Sequence, residues 1–139
     1  KVDLSVKKIL NEEESFGIKD FEVYKNFSEK VYQIRKNVRK NISQMSKKNK
    51  IVGYGSPAKA TTALNFFGLS NEIEFILEDN KLKQGKYIPG VNIPITAKDK
   101  IKIKPDCILV LAWNFFDEIK TKNRSLSENF VSIKELEKK

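Results

Sequence analysis

The ten residues from Lys50 to Lys59 constrain the fold of this chain more than any other stretch. They read as a buried strand, a glycine turn and the start of a helix in immediate succession. Gly53 and Gly55 allow a turn that a Cβ atom would obstruct, and Ala58 takes the small-residue place of the G-x-G-x-x-[GA] pattern. The stretch therefore predicts one strand-turn-helix unit of an α/β sheet.

The start of the predicted helix suits an anion. Ser56 fits the N-cap and Pro57 fits the first helical position, so the next backbone N–H groups face the turn. Lys59 lies in the first helical turn, where the helix dipole disfavours a cation unless something anionic is near. These features indicate phosphate or nucleotide binding. A tight βα connection with Lys59 in water explains them as well, so both interpretations stay open.

Short apolar strands alternate with helices after residue 50, as is typical of βαβ units. The predicted elements are a strand at 50–54, a helix at 57–67 ended by Gly68, a strand at 73–77, a short strand from Ile95, a strand at 107–112, a helix at 114–122 and a strand at 130–133. We therefore expect an α/β fold, a Rossmann-like, mostly parallel sheet of about four to five strands flanked by helices.

A long amphipathic helix is predicted ahead of that sheet, from Asp20 as cap to about Lys48, since its apolar residues recur near the helical period. The apolar stripe suits packing on the sheet or on another domain. The piece from Leu4 to Leu10 fits a strand or a helix. We expect residues 1–49 to form a helical region packed on a core at 50–139, as one domain overall.

Composition excludes several kinds of site. The 139 residues contain no histidine and one cysteine, Cys107, so the usual zinc ligand sets, Ser-His-Asp and Cys-His catalysis are absent. We expect no metal site, no catalytic residue, no membrane span and a cytoplasmic location. The net charge of +9 raises nucleic acid as a partner. The lysines lie on the polar face of the long helix without interleaved aromatics, so we expect no nucleic-acid binding.

Polar residues follow the predicted strands, where ligands bind in parallel α/β sheets. Asp79 comes 26 positions after Gly53, near the spacing of an acidic residue that holds a ribose hydroxyl, although an Asx turn explains it nearly as well. Asn114 suits the cap of the next helix. Trp113 offers a rigid wall with one N–H donor, for a ligand or for the core.

The order of these motifs resembles the C-terminal domain of the sugar C-methyltransferase family. The resemblance covers nearly the whole chain and rests on these segments: Gly53 to Lys59, Leu64-Asn65, Asp79 to Gly90, Ile93 to Ile95, Lys104 to Asp106 and Leu111 to Asn114. Ser56, where alanine is usual in the family, is one departure.

The resemblance implies a division of labour. Enzymes of this family methylate a carbon of a nucleotide-linked keto-deoxysugar, with zinc and S-adenosylmethionine held by regions that precede this domain. It implies that this chain binds the nucleotide-linked sugar, holds no cofactor itself, is not catalytic alone, and has the zinc and S-adenosylmethionine domains as partners. The substrate-binding residues expected on this basis are Gly53, Tyr54, Gly55, Ser56, Ala58, Lys59, Asp79, Lys81, Tyr87, Trp113 and Asn114.

Two other hypotheses remain. The glycine pattern with Asp79 on a ribose is also that of a small NAD-type oxidoreductase module. A domain without a ligand, which docks on a partner through Phe27, Val31 and Val38 of the long helix, is the second.

Overall fold

A computed structural model describes residues 3–138, and they form two units, one ending at Ile34 and one beginning at Arg35. This boundary lies inside the long helix. The helices are α1 (Leu4–Phe16), α2 (Phe21–Ser46), α3 (Ala58–Phe67), α4 (Phe116–Lys122) and α5 (Ile133–Leu136), and the strands are β1 (Ile51–Tyr54), β2 (Ile76–Leu77), β3 (Ile95–Thr96), β4 (Cys107–Val110) and β5 (Phe130–Ser132).

The first unit contains α1 and the first half of α2. The Asp3 carboxylate accepts the Ser5 backbone N–H at 2.8 Å and so caps α1, which ends at Gly17 in the left-handed region. The front segment is therefore a helix. The Asp20 carboxylate accepts the Glu22 N–H at 3.0 Å, which confirms Asp20 as the cap of the long helix.

The second unit contains a five-stranded sheet in the order β3-β2-β1-β4-β5, with every neighbouring pair parallel. This α/β architecture confirms the predicted Rossmann-like fold. Strand β2 is shorter than predicted. Backbone hydrogen bonds to β1 nevertheless begin before its first residue, since the Glu74 N–H donates to the Ile51 carbonyl at 3.0 Å. Strand β1 lies between β2 and β4, which places the turn after Tyr54 at the centre of the sheet.

The apolar core covers both faces of the sheet. On one face Val52, Tyr54, Leu77, Ile108, Val110 and Phe130 form a buried cluster. The second half of α2, with Val38 and Ile42 buried, is fastened to the ends of two other helices. Arg39 donates to the carbonyl of Phe67, the last residue of α3, and Asn41 donates to the Leu136 carbonyl at the end of α5. This half of the stripe thus packs on the core.

Two further features differ from or add to the expectations. Ile133 begins α5 instead of ending β5, because the Ser132 hydroxyl caps a helix there by accepting the Lys134 N–H.

Cys107 in β4 is 3% exposed, and burial raises the pKa of its thiol to about 11. Among residues 3–138, no helix combines the length and the apolar character that crossing a bilayer requires.

Candidate functional site

The site lies between β1 and β4, where the order of strands in the sheet reverses. Parallel α/β sheets leave a crevice at this point. Gly55 follows β1 with φ of 84° and packs against the chain after β4. A Cβ atom on Gly55 would come within 2.9 Å of the Ala112 Cβ, and one on Gly53 within 2.9 Å of Ile76 Cγ1. Both glycines are therefore required by close packing, whatever the crevice binds.

The start of α3 differs from the prediction. The helix begins at Ala58, and Pro57 occupies the N-cap position without a side-chain cap. Ser56 is therefore not the N-cap. Its hydroxyl instead donates to the carboxylate of Glu78, which is a strong acceptor because it is charged.

The carboxylate of Glu78 binds the end of the glycine turn at Ser56. Its Oε2 accepts the Ser56 backbone N–H at 2.9 Å as well as the hydroxyl, and its Oε1 accepts the Asn80 N–H at 3.0 Å. Lys83 Nζ donates to the Ser56 carbonyl at 2.8 Å and lies 3.9 Å from Oε2. The amide at which a phosphate was expected thus already serves an internal anion.

The electrostatics keep this carboxylate charged. Burial alone would raise the pKa of Glu78, but the hydrogen bonds from Ser56 and Asn80, with Lys83 nearby, outweigh it and lower the pKa. A carboxylate that is ionised at neutral pH repels a second anion at the Ser56 amide. A phosphate at this edge of the sheet therefore meets the first turn of α3 more favourably than the glycine turn itself.

Asp79 faces the other side of the sheet. Its Oδ2 accepts the Tyr54 hydroxyl at 2.9 Å, and its Oδ1 lies 2.9 Å from Lys98 Nζ, which also sits over the Tyr54 ring at 5.1 Å. The Asn123 amide oxygen lies 3.4 Å from the same hydroxyl. The Asx turn expected of Asp79 is made by Asn80, whose Oδ1 accepts the Leu82 N–H.

The pKa values of this cluster are coupled. Burial raises the pKa of Tyr54, and the acceptor Asp79 adds to the rise while Lys98 opposes it. For Asp79, burial opposes ionisation, but hydrogen bonds from Lys98 and Tyr54 outweigh it and lower the pKa. The cluster is an internally neutralised polar group, with Asp79 still exposed enough to accept a ligand hydroxyl.

Lys59 and Trp113 lie together at the carboxyl ends of β1 and β4. The Lys59 Nζ stands 4.3 Å from the centre of the Trp113 ring, a cation–π contact that holds the ammonium group in place. The pair borders a groove of about 380 Å³ between α3 and α5, whose other walls are Thr62, Ala63, Phe67, Ile133, Lys134 and Glu137. We call this the Lys59–Trp113 groove.

The remaining expected residues lie at the margins. Asn114 is exposed and does not cap a helix: it sits in a 3₁₀ turn, and the N-cap position of α4 is Phe115, without a side-chain bond. Because of that extra turn, α4 begins at Phe116, two residues later than predicted. Lys81 is exposed on the loop after β2, and Tyr87 is 62% exposed where it bridges to Pro94.

Three charged residues of this edge were missed by sequence reasoning: Glu78, Lys83 and Lys98. Strand alternation was a usable signal for the first, because Leu77 shares a face with Tyr54 and Asp79 must do the same, which turns Glu78 to the glycine side. The residues described contain no group of acidic or cysteine side chains that could hold a metal ion.

Comparison with known proteins agrees with this architecture. The family described as C-methyltransferase C-terminal domain matches residues 1–132. The chain is 35% identical over 128 residues to C-methyltransferase NovU of Streptomyces niveus, an alignment that covers 90% of this chain and 30% of NovU. The chain thus spans less than a third of that relative. With most of its length matched, the chain belongs to the C-methyltransferase C-terminal domain family.

Proposed function

We propose that this chain is the substrate-binding domain of a sugar C-methyltransferase and that it holds a nucleotide-linked sugar at the Lys59–Trp113 groove. The observation that carries the proposal is the cation–π contact of 4.3 Å at the switch point of the sheet. This contact holds the Lys59 ammonium beside the Trp113 ring. A nucleoside diphosphate has an anionic diphosphate that suits the ammonium and a planar base that suits the ring. Membership of the methyltransferase family supports the reading.

In this proposal, different residues of the groove contact different parts of the ligand. The first-turn N–H groups of α3, at Ala58 and Lys59, have no partner within the helix and no side-chain cap beside them. Together with the Lys59 ammonium they suit a phosphate. The planar base would stack on the face of the Trp113 ring opposite Lys59. Glu78 keeps the phosphate off the Ser56 amide, so the diphosphate lies toward α3.

The methyl transfer itself is proposed to lie outside this chain. This chain has no histidine and one cysteine, so its side chains do not form a ligand set for the expected zinc. We derive no step through zinc or S-adenosylmethionine. In this scheme other parts of the enzyme hold both groups, and this domain positions the sugar. We also keep the cytoplasm as its proposed setting.

Fluorescence titration tests the proposal, because Trp113 is the single tryptophan of the chain. Thymidine-diphosphate glucose should change the emission in a saturable way. Lys59→Met should weaken binding about tenfold, as expected when one charge-assisted contact is lost. Lys36→Met, which removes an exposed lysine of α2, is the matched control and should bind normally.

Two outcomes would overturn the proposal. One is a folded wild-type chain that does not respond to millimolar thymidine-diphosphate glucose. The other is tighter binding of NAD in the same titration, which would favour the dinucleotide-binding alternative.

A further inference from the structure

The helical segment formed by residues 3–34 exposes an unusual amount of apolar surface. Not one of these residues is buried. Nine large apolar side chains within the segment are between 44% and 81% exposed: Leu4, Val6, Ile9, Leu10, Phe16, Phe21, Tyr24, Phe27 and Tyr32. Isolated exposed apolar residues are ordinary, but a cluster of this density within 30 residues indicates a contact surface.

The exposed apolar area, summed over both helices, is comparable to one side of a specific interface. A large side chain carries on the order of 150 Å² or more, so nine of them, each about 60% exposed, leave roughly 800 Å² uncovered. A stable interface buries about 800 Å² per partner. Phe16, Val23, Tyr24, Asn26, Phe27 and Lys30 already shape a groove of about 580 Å³ on this surface.

The segment also lacks a core of its own. Helix α1 has 13 residues, about the length at which an isolated helix is marginal in water, and it has no buried residue. A partner that covers the apolar side chains would supply the stabilisation that packing within residues 3–34 does not. Phe16, Tyr24 and Phe27, which line that groove, are aromatic side chains of the kind that is enriched in protein interfaces.

The charge of the segment indicates the class of partner. Residues 3–34 hold five lysines and seven acidic residues, whereas the whole chain carries +9. A surface for nucleic acid or an anionic membrane would be basic, and this one is close to neutral. It therefore suits the apolar surface of a folded protein.

We propose that residues 3–34 dock on the part of the methyltransferase that lies outside this domain. The family match includes the segment, so these helices belong to the domain and are not an addition to it. In NovU the aligned stretch is 30% of the protein, which leaves 70% available to cover such a surface. This inference is independent of the nucleotide-linked sugar and of the Lys59–Trp113 groove.

Amide hydrogen exchange tests the docking. The 139-residue chain is compared with the complete polypeptide encoded by the reading frame that contains it. The amides of α1 should exchange at least about tenfold more slowly in the complete polypeptide. Phe27→Ser in the complete polypeptide should restore fast exchange. Ile103→Ser is the matched control, since Ile103 is 65% exposed and Phe27 66%, and it should leave α1 protected.

Three results would overturn the inference. The first is equal exchange of α1 in the two proteins. The second is a 139-residue chain that sediments as a dimer with α1 already protected, which would make a second copy the partner. The third is a reading frame that encodes nothing beyond this domain. Circular dichroism of the Phe27→Ser chain alone should show that it is folded, because Phe27 is 66% exposed.

Discussion

The carboxylate of Glu78 accepts both the backbone N–H and the hydroxyl of Ser56. The loop after β2 thereby supplies the glycine turn with a negative charge of its own. The pattern read as an anion site does hold an anion, but one that belongs to the chain. The same contact links the ends of β1 and β2 and so contributes to the stability of the sheet.

Replacing this internal anion should weaken the fold. Glu78→Gln keeps the shape but removes the charge that holds two donors of Ser56 and the Asn80 N–H. We expect the free energy of unfolding to fall by about 1 to 3 kcal/mol at neutral pH. Urea denaturation measures it.

The control for that variant is Glu74→Gln, which changes an exposed glutamate that lies four residues before Glu78 in the sequence. It should stay within about 0.5 kcal/mol of the wild type. Equal stability of the two variants would contradict the role given to Glu78.

The effect of Glu78 should depend on pH, with a sign set by its lowered pKa. A carboxyl group whose pKa is lower in the folded state stabilises that state above its ordinary value of 4.5, and the stabilisation is lost as pH falls through the lowered pKa. The difference in unfolding free energy between the wild type and Glu78→Gln should therefore be constant from about pH 6 to 7 and shrink below about pH 4. A difference that grows in acid would contradict it.

A comparison of two of the left-handed glycines, Gly55 and Gly85, distinguishes the effect of backbone conformation from the effect of packing. Their φ values are 84° and 79°, but a Cβ atom on Gly85 would meet nothing within 4 Å, while one on Gly55 would meet the Ala112 Cβ at 2.9 Å. Gly85→Ala should cost about 1 to 2 kcal/mol from conformation alone. Gly55→Ala should cost at least about 1 kcal/mol more. Thermal unfolding of both variants decides, and equal losses would refute the packing role of Gly55.

The phenol of Tyr54 offers a spectroscopic prediction. Burial and the Asp79 acceptor raise its pKa above 10.0, so the difference between the absorbance titrations of the wild type and Tyr54→Phe should have its midpoint above that value. Lys98→Met removes the cation that opposes the rise, and the midpoint should move further up. A midpoint below 10.0 would contradict the geometry of the cluster. Removing the hydroxyl should cost about 1 kcal/mol of stability.

Much of the fold was predictable because it depends on local patterns. The glycine turn after Tyr54 and the left-handed end of α3 at Gly68 have signals within a few residues, and the structure has both. The extent of β2 was less accessible, since only Ile76 and Leu77 form the strand and backbone bonds from Glu74 extend its pairing. Strand ends depend on neighbours that are distant in sequence.

The candidate site was predictable in position but not in detail. Lys59 and Trp113 were both expected after strand ends, and the two side chains are in contact in the structure. Which acid faces the glycine turn depends on the face that β2 presents, so the contact of Glu78 with Ser56 was not expected. Lys98 is 44 positions from Tyr54 in the sequence, and only the tertiary fold brings it over that ring.

The burial of Cys107 in β4 turns the chain into its own stability reporter. Its thiol is 3% exposed and has a pKa of about 11, so at neutral pH alkylating reagents meet neither an accessible sulfur nor a thiolate. Because β4 lies in the interior of the sheet, between β1 and β5, the sulfur becomes reactive only when the structure around β4 opens. The rate at which an alkylating reagent labels Cys107 therefore reports how often this part of the sheet opens, without an engineered cysteine.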